Sequence, residues 1–150
     1  MKKFQFPLQK VLEYDTHLQK SESDALSVLK AEYNRLEKKR SDMMEEYELA
    51  KKRYQVECEN GQTASQCVAA GLYIKDQRQQ ISKINEQIRE QMRKIEKQRE
   101  RLVAVTQDKT MIEKLKERSQ DSYRLSERKS EELYISELIS NQSAKTGNGL

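Results

Sequence analysis

The fold is decided by residues 74–112, which read IKDQRQQISKINEQIREQMRKIEKQRERLVAVTQDKTMI. An isoleucine or leucine recurs at every seventh position, at Ile74, Ile81, Ile88, Ile95 and Leu102. A second apolar series interleaves with the first at spacings of three and four, through Ile84, Val105 and Ile112. Because a strict seven-residue repeat drifts around a straight helix, this spacing predicts a long helix that supercoils against a partner helix.

The composition excludes a globular core of the usual kind. Charged residues make up 36% of the 150, and the chain has four Gly, one Pro and no Trp. Such polarity is typical of disordered chains, but a disordered chain has no apolar register sustained over tens of residues. The sequence therefore predicts an all-α fold in one elongated domain.

Two helices are expected on either side of one turn. Helix one is predicted over about residues 7–58, since Pro7 is well tolerated in a first helical turn. The turn is predicted over about 59–66, where Asn60-Gly61 is the clearest turn signal in the chain. Thr63 and Gln66, three residues apart, fit a capping box that opens the next helix.

The second helix is expected to be the longer one. It is predicted over about residues 67–139, followed by a disordered tail at 140–150. A short turn makes the two helices an antiparallel coiled-coil hairpin, with Leu8 facing about residues 118–122. The segment from Tyr123 to Ile139 then extends beyond the paired part, and its apolar side chains are exposed unless a partner covers them.

The charges suggest a solvated surface, with two alternatives. The formal net charge is +4, and the excess is densest from Arg89 to Arg101. This cluster fits a charged coiled-coil flank, an attraction to an acidic protein surface, or a nucleic-acid-associated coiled coil. The chain offers no aromatic or Gly-rich recognition element beside the basic residues, which disfavours nucleic acid.

No residues with the pattern of a catalytic or cofactor site stand out. His17 is the only histidine, without a second His or a Cys at metal-ligand spacing, and no Gly-rich phosphate loop is present. We expect no enzymatic activity, no metal and no cofactor. The two cysteines, Cys58 and Cys67, are expected to be free thiols in a reducing, cytosolic compartment.

Two motifs resemble the flagellar FliJ family. The chain opens with Phe4-Gln-Phe-Pro-Leu8-Gln-Lys-Val11-Leu12, which is similar to the Phe-x-Phe-x-Leu-x-x-Val-Leu start of that family. The stretch Lys109-Thr-Met-Ile-Glu-Lys-Leu-Lys-Glu-Arg118, followed by Tyr123, is similar to the segment that precedes the family's last helical turns. The length, the helix order and the turn position also agree with the family.

The resemblance implies a soluble, cytoplasmic component of the flagellar type III protein export apparatus. Such a protein is a coiled coil similar to the central stalk of rotary ATPases. The implied partners are the hexameric export ATPase, the cytoplasmic part of the export gate membrane protein FlhA, and the export chaperones. Association with the membrane would occur only through these partners.

Two sets of residues are candidates for those contacts. The residues expected to engage the ATPase ring are at the N terminus and on the overhang: Phe4, Phe6, Leu8, Tyr123, Leu125, Leu133, Tyr134 and Leu138. The residues expected to meet the export gate or chaperones are near the turn: Met43, Tyr47, Tyr54 and Tyr73. The competing hypotheses are a basic coiled-coil scaffold, a nucleic-acid-associated protein and a homodimeric spacer.

Overall fold

The computed structural model describes residues 2–147, which form two α-helices. Helix α1 spans Gln9–Glu59 and has 51 residues, whereas helix α2 spans Ala64–Gly147 and has 84. The two helices pack against each other as a hairpin, and the described residues contain no strand. The predicted all-α class, with a longer second helix, is confirmed.

The turn is shorter than the predicted 59–66 and occupies residues 60–63. Gly61 has a φ of 90°, which an L-residue with a side chain rarely adopts. The amide of Gln62 donates to the carbonyl of Glu57 at 3.3 Å, as in a Schellman motif that closes a helix. Asn60-Gly61 therefore ends α1, as the dipeptide indicated.

The predicted capping box is present at the start of α2. The amide of Gln66 donates to Oγ1 of Thr63 at 3.3 Å, and the amide of Thr63 donates to Oε1 of Gln66 at 3.3 Å. Two amides that have no partner within the helix are thereby satisfied. This cap makes Ala64 the first residue of α2, three positions before the predicted start.

The other helix ends differ from the predicted ones. Helix α1 begins at Gln9 rather than near Pro7, and the amide of Gln9 donates to the carbonyl of Phe6 at 3.1 Å. The predicted disordered tail is corrected over 140–147, where α2 continues to Gly147. Residues 140–146 contain neither Gly nor Pro, so nothing in them stops a helix. The remainder of that predicted tail, 148–150, lies outside the described residues.

The chain divides into two compact units. The first, called the turn unit, comprises Lys20–Val103 and contains the turn. The second, called the end unit, is formed by the segments before and after it. Each unit contains part of α1 packed beside part of α2.

The core of the turn unit is a narrow seam between the helices. Leu36, Ile84 and Ile88 form a buried cluster, and Tyr33 and Met43 pack against it. Burying an Ile or Leu side chain contributes about 1.5–3 kcal/mol, so a few such residues hold this part of the hairpin together. The seven-residue repeat read from the sequence is thus the seam of the coiled coil.

Two buried glutamines interrupt the apolar seam of the turn unit. Gln91 and Gln98 are only 6% and 7% exposed. Nε2 of Gln91 donates to the carbonyl of Leu29 at 2.9 Å, and Nε2 of Gln98 donates to the carbonyl of Glu22 at 3.0 Å. The apolar series read from the sequence passes from Ile84 to Val105 without them, but Gln91 and Gln98 continue the Ile84 series at a seven-residue spacing.

In the end unit, polar contacts and the N-terminal segment hold the two sides of the hairpin together. Nζ of Lys109 donates to Oε1 of Gln19 at 2.9 Å, and Nε2 of Gln19 donates to Oγ1 of Thr106 at 3.1 Å. Beyond Glu127, the side chains of α2 are exposed as far as the description extends, to Gly147. The expected overhang of the second helix is present in this unit.

Candidate interaction surfaces

An aromatic pair joins the N-terminal segment to α2 in the end unit. The rings of Phe4 and Tyr123 have centroids 5.6 Å apart and are inclined at 57°. The hydroxyl of Tyr123 donates to the carbonyl of Lys2 at 2.6 Å. Tilted aromatic pairs at this separation contribute about 0.5–1.5 kcal/mol beyond their buried area. The N-terminal segment therefore covers Tyr123, and the part of α2 after Tyr123 lacks these contacts.

A shallow groove of about 600 Å³ lies beside that pair. Phe4, Phe6 and Pro7 line one part of it, and Lys116 and Gln120 of α2 line another. The N-terminal segment thus lies beside the part of α2 that the hairpin predicted for it, about residues 118–122. The structure brings Phe4, Phe6 and Tyr123 into one region, and Leu8 lies next to it with 38% of its surface exposed.

The overhang carries a continuous apolar stripe, made of Tyr134, Ile135, Leu138 and Ile139. These residues stand at spacings of one, three and four on α2, which places them side by side on one helix face. They are 64%, 55%, 46% and 59% exposed. We call this face the overhang stripe. Ile135 and Ile139 were not among the candidates for ring binding named from the sequence. Their spacing of four residues, which places them on one helix face, could have identified them.

The overhang stripe continues the face by which α2 contacts the N-terminal segment. Tyr134 lies eleven positions after Tyr123, and eleven residues make just over three helical turns. Leu133 lies about 100° around the helix from Tyr134, whereas Leu125 lies about 40° from Ile139, and the two leucines are 65% and 57% exposed. The eight predicted residues therefore divide into a covered cluster, an exposed stripe and two separate exposed leucines.

Two of the four residues predicted near the turn line one groove. Tyr47 and Tyr54 of α1 face Ile74 and Arg78 of α2 across a space of about 350 Å³. Arg78 donates to the hydroxyl of Tyr47 from Nε at 3.3 Å and from a terminal nitrogen at 3.0 Å. Lys51 lies with Nζ 5.2 Å from the centre of the Tyr47 ring. We call this region the tyrosine groove, and its rim is cationic.

The other two residues lie elsewhere. Met43 packs against the buried cluster of the turn unit, so it stabilises the fold. Tyr73 is 51% exposed and its hydroxyl donates to Oε1 of Glu46 at 3.1 Å. This hydrogen bond to a carboxylate raises the pKa of Tyr73 above its ordinary value. Tyr54 lies beside Gly71, where a Cβ added to the glycine would be 4.0 Å from the tyrosine hydroxyl.

The basic cluster of α2 is partly neutralised on its own helix. A terminal nitrogen of Arg89 lies 3.0 Å from Glu86, and Arg93 pairs in the same way with Glu90. Such exposed pairs contribute little to stability, but they lower the net positive charge presented to a polyanion. The geometry thus favours the solvated coiled-coil flank over a nucleic-acid interface.

Within residues 2–147, no group of three or more His, Cys, Asp or Glu side chains is placed to hold a metal ion. Neither helix contains a segment with the length and apolarity that a bilayer crossing requires.

Comparisons with known proteins give the family. A search of curated proteins found no match, and a search of solved structures found none either. A family model described as "Flagellar FliJ protein" matches residues 4–148, which is nearly the whole chain. The match includes both motifs that carried the resemblance, the N-terminal Phe-x-Phe motif and the stretch Lys109–Arg118. The chain therefore belongs to the FliJ family, whose members are non-catalytic components of the flagellar export system.

Proposed function

We propose that this chain is a stalk that inserts the end of α2 into the ring of the flagellar export ATPase and promotes the assembly and activity of that ring. The overhang stripe is the observation that carries the proposal. The stripe consists of four large apolar side chains, each about half exposed. Covering them with a partner removes apolar surface from water, which lowers the free energy of the complex. A single helix is also slender enough to enter the central opening of a hexameric ring.

The N-terminal cluster gives the stalk a defined base. Packing of Phe4 on Tyr123 ties the N terminus to α2 a few turns before the overhang stripe. At this base the N-terminal segment, including Phe6, lies beside α2 and makes the stalk wider than a single helix. In this proposal Phe4, Phe6, Leu8 and Tyr123 meet the rim of the ring, while the overhang stripe, with Leu125 and Leu133, lies deeper.

The tyrosine groove is the proposed contact for the export gate and the chaperones. Tyr47 and Tyr54 offer large aromatic surfaces, and Arg78 and Lys51 add two cationic groups beside them. Tyr and Arg are enriched among the residues that dominate binding energy at protein interfaces. The proposal assigns the cytoplasmic part of FlhA, or a chaperone, to this groove. The exposed Tyr73 is proposed as a further contact outside the groove, and Met43 acts indirectly, by stabilising the buried cluster of the turn unit.

The ring contact is tested by titrating the purified export ATPase of the same flagellar system with this protein. The test variant carries Tyr134→Gln and Leu138→Gln, which keep good helix formers at exposed positions. We expect the concentration for half-maximal stimulation of ATP hydrolysis to rise at least tenfold, which corresponds to about 1.4 kcal/mol of binding free energy. A chain that ends at Ser130 should lose stimulation while keeping the packing of Phe4 on Tyr123.

The matched control carries Tyr14→Gln and Leu49→Gln. These residues are of the same two types and are 65% and 50% exposed, close to 64% and 46% for the test pair. The control should stimulate like the unchanged protein. Equal stimulation by the test variant and the control would refute insertion of the overhang stripe.

The gate contact needs its own test. Tyr54→Ser should weaken binding to the purified cytoplasmic part of FlhA or to a chaperone without altering ATPase stimulation. Loss of both activities by this one variant would contradict the separation of the two surfaces.

A further inference from the structure

The two cysteines of the chain meet where the hairpin turns. Sγ of Cys58 lies 2.8 Å from Sγ of Cys67, and both side chains are half-buried. Cys58 is in the last turn of α1 and Cys67 is in the first turn of α2. The sulfur atoms are therefore less than about 1 Å farther apart than in a disulfide bond of about 2.05 Å.

We propose that Cys58 and Cys67 are a reversible thiol–disulfide site that joins α1 to α2 across the turn. The site takes low-molecular-weight disulfides of the glutathione type as its oxidant. Neither helix has to unfold for the bond to form, because the turn already holds the two thiols together.

The chemistry is ordinary thiol–disulfide exchange. The thiolate of one cysteine attacks a sulfur of the small disulfide, forms a mixed disulfide and releases one small thiolate. The second cysteine then loses its proton and attacks the protein sulfur of the mixed disulfide, which forms the Cys58–Cys67 bond and releases the second small thiolate. Two protein thiols are oxidised, one small disulfide is reduced to two thiols, and the released thiolates take up the two protons.

The surroundings favour this reaction over a mixed disulfide that persists. The two cysteines lie side by side, so the second attack is intramolecular. It is therefore faster than attack of another small thiol on the mixed disulfide. In the reduced form the Cys67 thiol donates a hydrogen bond to Oε1 of Gln62, with 3.9 Å between the sulfur and the oxygen. The hydrogen bond with Cys58 and partial burial raise the pKa of Cys67, which holds that thiol protonated until exchange begins.

The capped turn is what brings the sulfur atoms together. The closing hydrogen bond of α1, Gln62 to Glu57, and the Thr63 capping box fix the ends of both helices at this point. In an unfolded chain, two cysteines nine positions apart sample many other separations. The folded protein should therefore form the disulfide much more readily than the denatured one.

The test uses the reduced full-length protein in glutathione buffers of graded ratio. Samples are quenched with acid, and intact mass and peptide mapping report the thiol, mixed-disulfide and internal disulfide forms. We expect the internal disulfide to be the main oxidised product, with an equilibrium constant at least tenfold larger in native buffer than in denaturant. A constant equal to or below the denatured one, or persistent double glutathionylation, would overturn the proposal.

A second measurement compares the melting temperatures of the oxidised and reduced protein. The oxidised protein should unfold roughly 5–10 °C above the reduced protein, since the bond restricts a loop of the unfolded chain. Cys58→Ser and Cys67→Ser are the matched controls and should show no difference between oxidising and reducing buffers. Oxidation that lowered the melting temperature of the unchanged protein would mean that the bond strains the turn.

Discussion

Replacing the two seam glutamines by leucine should make the hairpin more stable. Gln91 and Gln98 are 6% and 7% exposed, so each occupies a nearly dry position between the helices. Leucine has a similar volume, and burial of its side chain contributes about 1.5–3 kcal/mol. The substitutions remove one hydrogen bond from each glutamine amide to a backbone carbonyl, worth about 0.5–1.5 kcal/mol net. Gln98 also donates to the carboxylate of Glu22, which is partly exposed and can bind water instead.

The acceptors are not left unsatisfied by this change. The carbonyls of Leu29 and Glu22 lie inside α1 and accept helical hydrogen bonds in addition to those from the glutamines. The net gain is therefore about 1 kcal/mol for each substitution and about 2 kcal/mol for Gln91→Leu with Gln98→Leu. For a chain of this size, that gain raises the melting temperature by roughly 4–8 °C.

The assay is thermal and urea unfolding followed by far-UV circular dichroism. Gln87→Leu is the matched control, because Gln87 is exposed on the same helix and its substitution should change stability by less than about 0.5 kcal/mol. A lower melting temperature for the double leucine variant would refute the reasoning, since the two amides would then stabilise the seam more than apolar packing does. A gain in stability would instead suggest that the glutamines are there to fix the register of the two helices, as buried polar residues do in coiled coils.

Three further predictions concern separate parts of the fold. Gly71→Ala should stabilise α2 by about 1 kcal/mol in urea unfolding, because Ala favours a helix more than Gly does. The nearest atom to the added methyl group, a tyrosine hydroxyl, would be 4.0 Å away, so a loss of stability would contradict the space described there. Ile88→Ala should lower the free energy of unfolding by about 2–4 kcal/mol, whereas Ile139→Ala on the exposed stripe should change it by less than about 0.5 kcal/mol, and equal effects would show that the seam is not the core. The hydrogen bond to Glu37 raises the pKa of Tyr33 above its ordinary 10.0, so its stabilising contribution is complete below pH 10 and is lost as the pH rises through the higher folded value. Tyr33→Phe should therefore flatten the fall in melting temperature above pH 10, and an unchanged fall would contradict that assignment.

The sequence was most informative where one physical effect dominated. The repeat from Ile74 to Leu102 can be satisfied only by a partner helix, and the structure buries its middle members Ile88 and Ile95. Asn60-Gly61 ended α1 because a positive φ is needed there and Gly adopts it without strain. These features required no knowledge of the rest of the chain.

Other features depended on how the two helices align, which composition does not reveal. Gln91 and Gln98 have the character of surface residues, and only the position of α1 shows that they are inside. Tyr73 and Tyr47 both lie near the turn, but the rotation of each helix sends them to different neighbours. The last turns of α2 were expected to be disordered because residues 140–150 contain two Gly and no apolar register, but a helix can continue without an apolar face as far as Gly147.

The hairpin also has a consequence for the order in which the chain folds. Hydrogen bonds join residues on the two sides of the turn at increasing separations along the chain: 9 at Cys58 and Cys67, 45 at Arg40 and Asn85, 62 at Leu29 and Gln91, and 121 at Lys2 and Tyr123. Loop-closure entropy grows with that separation, so pairing that begins at the turn brings each later contact together over a short remaining gap. Folding should therefore proceed like a zipper from Gly61 outward, with the N terminus docking on Tyr123 last and detaching first.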